Sequence, residues 1–237
     1  MKRLGFEQKD IEVVANRLKA SDQYIKVLSV FTHLAASDGA EHDAFTNHQL
    51  SIFDSMTDEL NTTLKYFFLK HATNSSGIMR FPQAHYDMVR LGIGLYGVES
   101  AGLFQNELQP ISTFKTHISQ IKEIAADETV GYSRRGKVTQ ASKIATIAVG
   151  YADGYDRRYS NGVGIVLVNG VRCPIIGNVC MDMCMVDITH ARANQGDEVI
   201  LFGENPSVTE LAKKINTIPY EVLTSVGERV KRIFYSA

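Results

Sequence analysis

Three clusters of polar residues follow apolar runs in the first hundred positions, and their types are those that bind anions and exchange protons. His33 comes after "LSVFT", His71 with Asn74 and Ser75 after "YFFLK", and Arg90 lies within "YDMVRLGIGLYGV". Met88, Val89, Leu91, Ile93, Leu95 and Tyr96 make that last run nearly continuously apolar, as in a strand buried on both faces. A guanidinium there cannot shed its proton to escape desolvation, so an acceptor must face it. The nearest carboxylate, Asp87, falls on the opposite strand face. Asn74 and Ser75 precede a helical turn whose free N–H groups favour a phosphate, and Gly92 lets a ligand approach the main chain. The grouping predicts a phosphorylated cofactor with a polar ring atom facing Arg90. Taken alone, His33 reads better as a satisfied core histidine and "HATNSS" as an Asx or Ser turn.

The second half offers "ETVGYSRRG", "AVGYADGYDRRYSNG" and "GNVCMDMCMVDIT". Tyr132 stands beside Arg134 and Arg135, and nearby positive charge lowers a phenol from about 10 toward a usable base. An exposed turn tyrosine is an equal reading. Cys180 and Cys184 invite a metal, but strand alternation puts Cys180, Asp182 and Cys184 on one face and Met181, Met183 and Met185 on the other. No second ligand pair has zinc spacing, so no metal is expected.

The elements that must position these groups change character along the chain. Up to about residue 98, helix and strand alternate: "KDIEVVANRLKAS" is helical, "YIKVLSVFTHLA" a buried strand, "DAFTNHQLSIFDSMTDEL" helical, "LKYFFLKHATNSS" a second strand and "DMVRLGIGLYGV" a third. Such βα repetition predicts a parallel sheet. Three strands are too few for a closed parallel barrel, which uses about eight, so the chain is expected to begin within a domain. A linker, "ESAGLFQNELQP", leads to strands of alternating polarity from about residue 110, with an Asn-Gly hairpin signal at Asn169-Gly170. "SVTELAKKINTI" reads as one helix capped by Ser207 or Thr209.

Composition narrows the partners. The 237 residues are 44% hydrophobic and 22% charged, with 25 basic and 26 acidic side chains spread without long runs. That balance disfavours a nucleic-acid or membrane-surface binder and leaves small molecules. Three cysteines fit a reducing, cytoplasmic setting.

Eight motifs in order, "RLGF", "FTHLAASD", "HATNSS", "DMVRLGIGLYG", "VGYSRRG", "VGYADGY", "GNVCMDMCMVD" and "PYEVLTSVGERVKRIF", resemble the pyridoxal-phosphate-dependent alanine racemases. The resemblance implies an α/β plus all-β fold class: the C-terminal part of a pyridoxal 5'-phosphate (PLP)-binding (β/α)8 barrel over residues 1–103, then a mostly β domain over 110–237. It implies a homodimer whose active sites draw on both chains, and racemisation of alanine for peptidoglycan. By the same resemblance Arg90 holds the cofactor's pyridine nitrogen and His33 buttresses that arginine. Asn74, Ser75, Gly92 and Ile93 cradle the phosphate. Arg3 lies near the substrate carboxylate, Met181 binds that carboxylate through its main-chain N–H, and Tyr151 lines the approach from the partner subunit. Tyr132 becomes one of two catalytic bases on opposite faces of the α-carbon. In the family the other base is the Schiff-base lysine of a V-K-A-N-A-Y-G type motif, which does not occur in this sequence. The intact enzyme is therefore expected to be longer, either an ordinary racemase or one fused to a peptidoglycan ligase, and this chain alone is expected to be inactive. Glu228 stands where many members have a tyrosine, and a carboxylate there needs Arg229 or Arg232 beside it. The alternatives are a decarboxylase or another racemase of the same cofactor class, or a non-catalytic dimerisation or ligand-binding module.

Overall fold

A computed structural model of the protein describes residues 1–99 and 101–235. The chain divides into two compact units, Met1–Gln109 and Pro110–Ala237.

In the N-terminal unit, helix α1 (Ile11–Ala20) and the longer α2 (Asp43–Leu64) bury apolar residues at helical spacing. Ile11 and Ala15 of α1 meet Leu60, Leu64 and Phe68 in one cluster. Lys65 ends α2 in the left-handed region, its N–H donating to Asn61 O. Two short strands, β1 (Ser29–Phe31) and β2 (Leu69–His71), pair in parallel with Phe31 opposite His71. Helix α3 (Ser75–Arg80) follows β2 directly and is capped by Asn74, whose side chain accepts from the N–H of Gly77. A second cluster of Leu34, Leu50, Ala72, Phe81 and Ala84 lies beneath it.

The expected strands are much shorter than their apolar runs, and the third is not a strand. Residues 86 to 98 contribute one parallel bridge, Met88 to His71, and then a 3-10 turn at Ile93–Tyr96. The N–H groups of Gly92 and Gly94 donate to the Ser75 hydroxyl at 2.9 and 3.2 Å, so the main chain has no ladder to join. Met88, Val89, Leu91, Leu95 and Tyr96 are all exposed, against the expectation of burial on both faces.

The C-terminal unit holds a closed six-stranded barrel. Its strands are β3 (Phe114–Ile124), β6 (Ser142–Ile147), β7 (Ile165–Val168), β8 (Val171–Ile176), β9 (Cys184–Asp187) and β10 (Glu198–Phe202), in the order β10-β3-β6-β9-β8-β7. A side ribbon pairs β4 (Thr129–Val130) with β5 (Gly136–Lys137). The period-two pairs Val166/Val168, Cys173/Ile175, Cys184/Val186 and Val199/Leu201 are all buried and fill the interior. Asn169 and Gly170 both take positive φ, 47° and 79°, and close the β7–β8 hairpin as their residue types predict. Helices α4 (Val208–Lys214) and α5 (Pro219–Thr224) complete the unit, with Ser207 capping α4 through the N–H of Glu210. Since side chains occupy the barrel, the polar residues of interest all lie on its connections. No helix among the described residues is long and apolar enough to cross a membrane.

Candidate functional site

Arg90 is the centre of the N-terminal cluster. Its Nη1 donates to His71 Nδ1 at 2.5 Å, and its Nη2 donates to the carbonyls of Thr32 at 2.8 Å and Ala72 at 3.1 Å. A guanidinium has no acceptor, so Nδ1 must carry the lone pair and the neutral His71 ring must hold its proton on Nε2. Burial first, and then the charge of Arg90, push the His71 pKa below its ordinary value, which favours that neutral form. His33 is shifted the same way by burial, Arg90 and Arg3. The strand end is pinned from α2, where Gln49 Nε2 donates to Thr32 Oγ1 and to the carbonyl of His33. No carboxylate among the described residues takes part, for Asp87 accepts from the Lys70 N–H instead. Three of the five guanidinium N–H groups thus have partners, which leaves Nε–H and one Nη1–H unpaired among the described residues.

Beside Arg90 lies an anion-shaped set of donors. The Arg90 N–H reaches Thr73 O, which ties the 88–94 segment to the β2–α3 junction. There the Ser75 hydroxyl accepts from Gly92 and Gly94, so its own proton remains to donate outward. Asn74 Oδ1 is occupied by Ser37 Oγ and the Gly77 N–H, and only its amide nitrogen is left for a ligand. Gly77 is tightly enclosed: a Cβ there would lie 3.0 Å from Leu34 Cδ1 and 3.2 Å from Thr73 Cβ. Ile93 is buried behind the loop, while Gly92 and Arg3 are exposed. The outward Ser75 hydroxyl and the Asn74 amide next to a fixed guanidinium suit a phosphorylated heterocycle, so the donor set fits the expected cofactor.

In the C-terminal unit the loop of residues 177–183 gathers three of the predicted positions. Asn178 Nδ2 donates to the carbonyl of Tyr132 at 3.2 Å. The N–H groups of Tyr151 and Ala152 donate to the carbonyls of Cys180 and Met181 at 3.0 and 2.9 Å. Gly150 allows that approach, since a Cβ on it would lie 2.3 Å from Cys180 O and 2.5 Å from Met181 O. Tyr132, Tyr151 and Met181 are 71%, 44% and 57% exposed. Positive φ values at Ser133 (56°) and Arg134 (52°) store backbone strain next to Tyr132. Arg134 Nε turns back to Thr129 Oγ1 rather than to the phenol. Arg229 pairs with the nearly buried Asp153, whose other oxygen accepts from the Gly150 N–H.

Comparison with known proteins gives this arrangement a family. A model described as the C-terminal domain of alanine racemase matches residues 111–234, and one described as its N-terminal domain matches residues 1–100. The chain belongs to the alanine racemase family. It is 39% identical to the alanine racemase of Carboxydothermus hydrogenoformans over 99% of this chain and 65% of that protein. With that of Methanococcus maripaludis the identity is 36%, over 99% and 64%. Among solved structures, alanine racemase from D-cycloserine-producing Streptomyces lavendulae gives a TM-score of 0.94 at 28% identity, covering all of this chain and 64% of that one. The Bartonella henselae enzyme, solved with covalently bound pyridoxal phosphate, gives 0.88 at 33%, covering 99% and 64%. The chain therefore spans about 65% of the length of the curated relatives it matches.

Three expectations need correction. The imidazole that buttresses Arg90 is His71, not His33, because the parallel register sets His71 beside the bridge at Met88 and aims its Nδ1 at the guanidinium. The stretch 177–187 is not one strand: Cys180 N donates to Met183 O in a turn, so Met181, Asp182 and Met183 are all exposed and alternation begins only at Cys184. Neither arginine expected beside Glu228 bonds to it, since Arg229 holds Asp153 and Arg232 donates to the carbonyls of Val226 and Gly227.

Proposed function

We propose that this chain serves an alanine racemase, interconverting L- and D-alanine with PLP as cofactor. The observation that carries the reading is the guanidinium of Arg90, held by an imidazole and two carbonyls, with no carboxylate among the described residues and two N–H groups to spare, beside the Ser75 hydroxyl that accepts from Gly92 and Gly94 and keeps its own proton for a ligand.

Bound PLP would supply the electron-withdrawing ring that makes the α-proton of alanine labile. Arg90 would hold the ring nitrogen through its spare N–H groups. Because arginine keeps its proton at any working pH, it acts there as a hydrogen-bond donor and not as an acid. That limits electron withdrawal and favours return of the proton to carbon over transamination. The Ser75 hydroxyl, the Asn74 amide and the Ile93 N–H would hold the phosphate, with the Gly92 main chain alongside and its own N–H given to Ser75. Arg3 would lie near the substrate carboxylate; from a second copy, the main-chain N–H of Met181 would bind that carboxylate and Tyr151 would line the approach.

Tyr132 would remove or deliver the α-proton on one face through its phenolic oxygen. Its exposure suits action in the site of a second copy, so the working form is read as a homodimer with shared sites. No lysine of this sequence lies in the motif expected of the second base, and the racemase reading assigns that base to a segment of the enzyme other than these 237 residues. The free thiols Cys173, Cys180 and Cys184 suit a cytoplasmic setting, and the D-alanine would serve peptidoglycan.

The test is a substrate panel in D2O with the enzyme that contains this chain, loaded with PLP. Alanine should exchange its α-proton and lose optical activity far faster than serine, lysine or ornithine. Exchange favouring one of those, or carbon dioxide release, would refute the assignment.

A further inference from the structure

Phe31 is 62% exposed, belongs to neither apolar cluster of its unit and has no place in the chemistry above. Its contacts are nonetheless specific. It stands opposite His71 in the β1–β2 register, and the two rings stack with centroids 5.1 Å apart and planes 9° from parallel. Arg90 Cζ lies over the same phenyl ring, also at 5.1 Å. The Nδ1 lone pair lies in the imidazole plane, so an N–H that reaches it at 2.5 Å places the guanidinium beside the imidazole rather than over it. Imidazole and guanidinium therefore share one phenyl plate. The three acceptors fix the edges of the guanidinium, and the ring face beneath opposes its tilting.

We propose that Phe31 is a positioning residue for Arg90, setting the plane of the guanidinium and so the direction in which its two spare N–H groups point. Its place in catalysis rests on the reading of Arg90 as the partner of the cofactor ring.

Two variants separate the ring face from apolar bulk: Phe31→Leu removes the face, and Phe31→Tyr keeps it. Because the side chain is largely exposed, neither threatens folding. The first readout uses the 237-residue chain without cofactor, where 15N NMR of His71 reports which ring nitrogen carries the proton. Wild type and F31Y should show the Nε2–H form alone, and F31L a mixture of tautomers as the guanidinium loosens. An F31L spectrum matching wild type overturns the proposal. The second readout is racemisation by the PLP-loaded enzyme that contains this chain. F31L should lower kcat by about three- to tenfold with KM for alanine within about twofold, and F31Y should restore it. Equal losses in both variants overturn the positioning role. If the wild-type enzyme does not racemise alanine, the proposed function fails, and the His71 tautomer still decides whether Phe31 clamps Arg90.

Discussion

Replacing Gly150 by alanine should cost the C-terminal unit far more than one methyl group suggests. Gly150 has φ −152° and ψ −163°, an extended conformation open to any residue, so the objection is space alone. The added Cβ would meet backbone atoms, Cys180 O at 2.3 Å and Met181 C and O at 2.5 Å, and no rotamer change can move those aside. Relief requires the 177–183 loop to retreat by about 1 Å. That stretches the Tyr151 N–H to Cys180 and Ala152 N–H to Met181 hydrogen bonds beyond use. Two lost bonds at about 1 kcal/mol each and about 1–3 kcal/mol of overpacking give roughly 3–5 kcal/mol. For a unit of this size that lowers Tm by roughly 10–20 °C. Thermal unfolding followed by circular dichroism measures it, with Gly227→Ala as the control, because the nearest atom to a Cβ there is Ala152 O at 3.8 Å. A G150A melting point within about 2 °C of wild type would refute the close-approach argument.

Other perturbations probe the rest of the site. Tyr132→Phe in the PLP-loaded enzyme should slow α-proton abstraction from one alanine enantiomer by about 10²–10⁴-fold and from the other much less; equal losses in the two isotope-exchange rates would count against a one-faced base. Ser75→Ala removes the acceptor for the Gly92 and Gly94 N–H groups and a donor to the phosphate. It should weaken PLP binding about tenfold in fluorescence titrations and leave pyridoxal, which has no phosphate, unchanged; a parallel loss for both would contradict the cradle. His33 and His71 both bind protons more weakly in the folded chain than at the ordinary value of 6.5. The unfolded chain therefore protonates first as pH falls, so the N-terminal unit should lose stability from about pH 6.5 downward and be insensitive to these groups above it. Urea midpoints from pH 8 to pH 5 measure this, and Arg90→Met should flatten the slope; identical slopes would show that the guanidinium does not act on the imidazoles.

How much was legible in the sequence depended on how local the deciding interaction was. The Asn169-Gly170 turn and the Ser207 cap are set by neighbouring residues, and both formed where their types predict. The grouping of His33, Asn74, Ser75 and Arg90 near one another was readable because each follows an apolar run in a βα pattern. Which histidine meets Arg90 was not, because it depends on the pairing of Phe31 with His71 across two strands forty residues apart. The segment around Arg90 was misread for a related reason. Its apolar content is that of a buried strand, yet two of its glycines send their N–H groups to the hydroxyl of Ser75, and hydrogen-bond destination overrides hydrophobic pattern. The 177–183 loop hid in the same way, since a turn closed by Cys180 and Met183 looks in sequence like two more residues of alternation.

That loop holds the phenol-bearing turn by one hand and the Gly150–Ala152 turn by the other while presenting Met181 itself. Three motifs far apart in the chain thus share a single mechanical anchor. A change that retunes substrate fit at one should require compensation at the other two, and laboratory selections for new specificity should return paired substitutions across them more often than isolated ones.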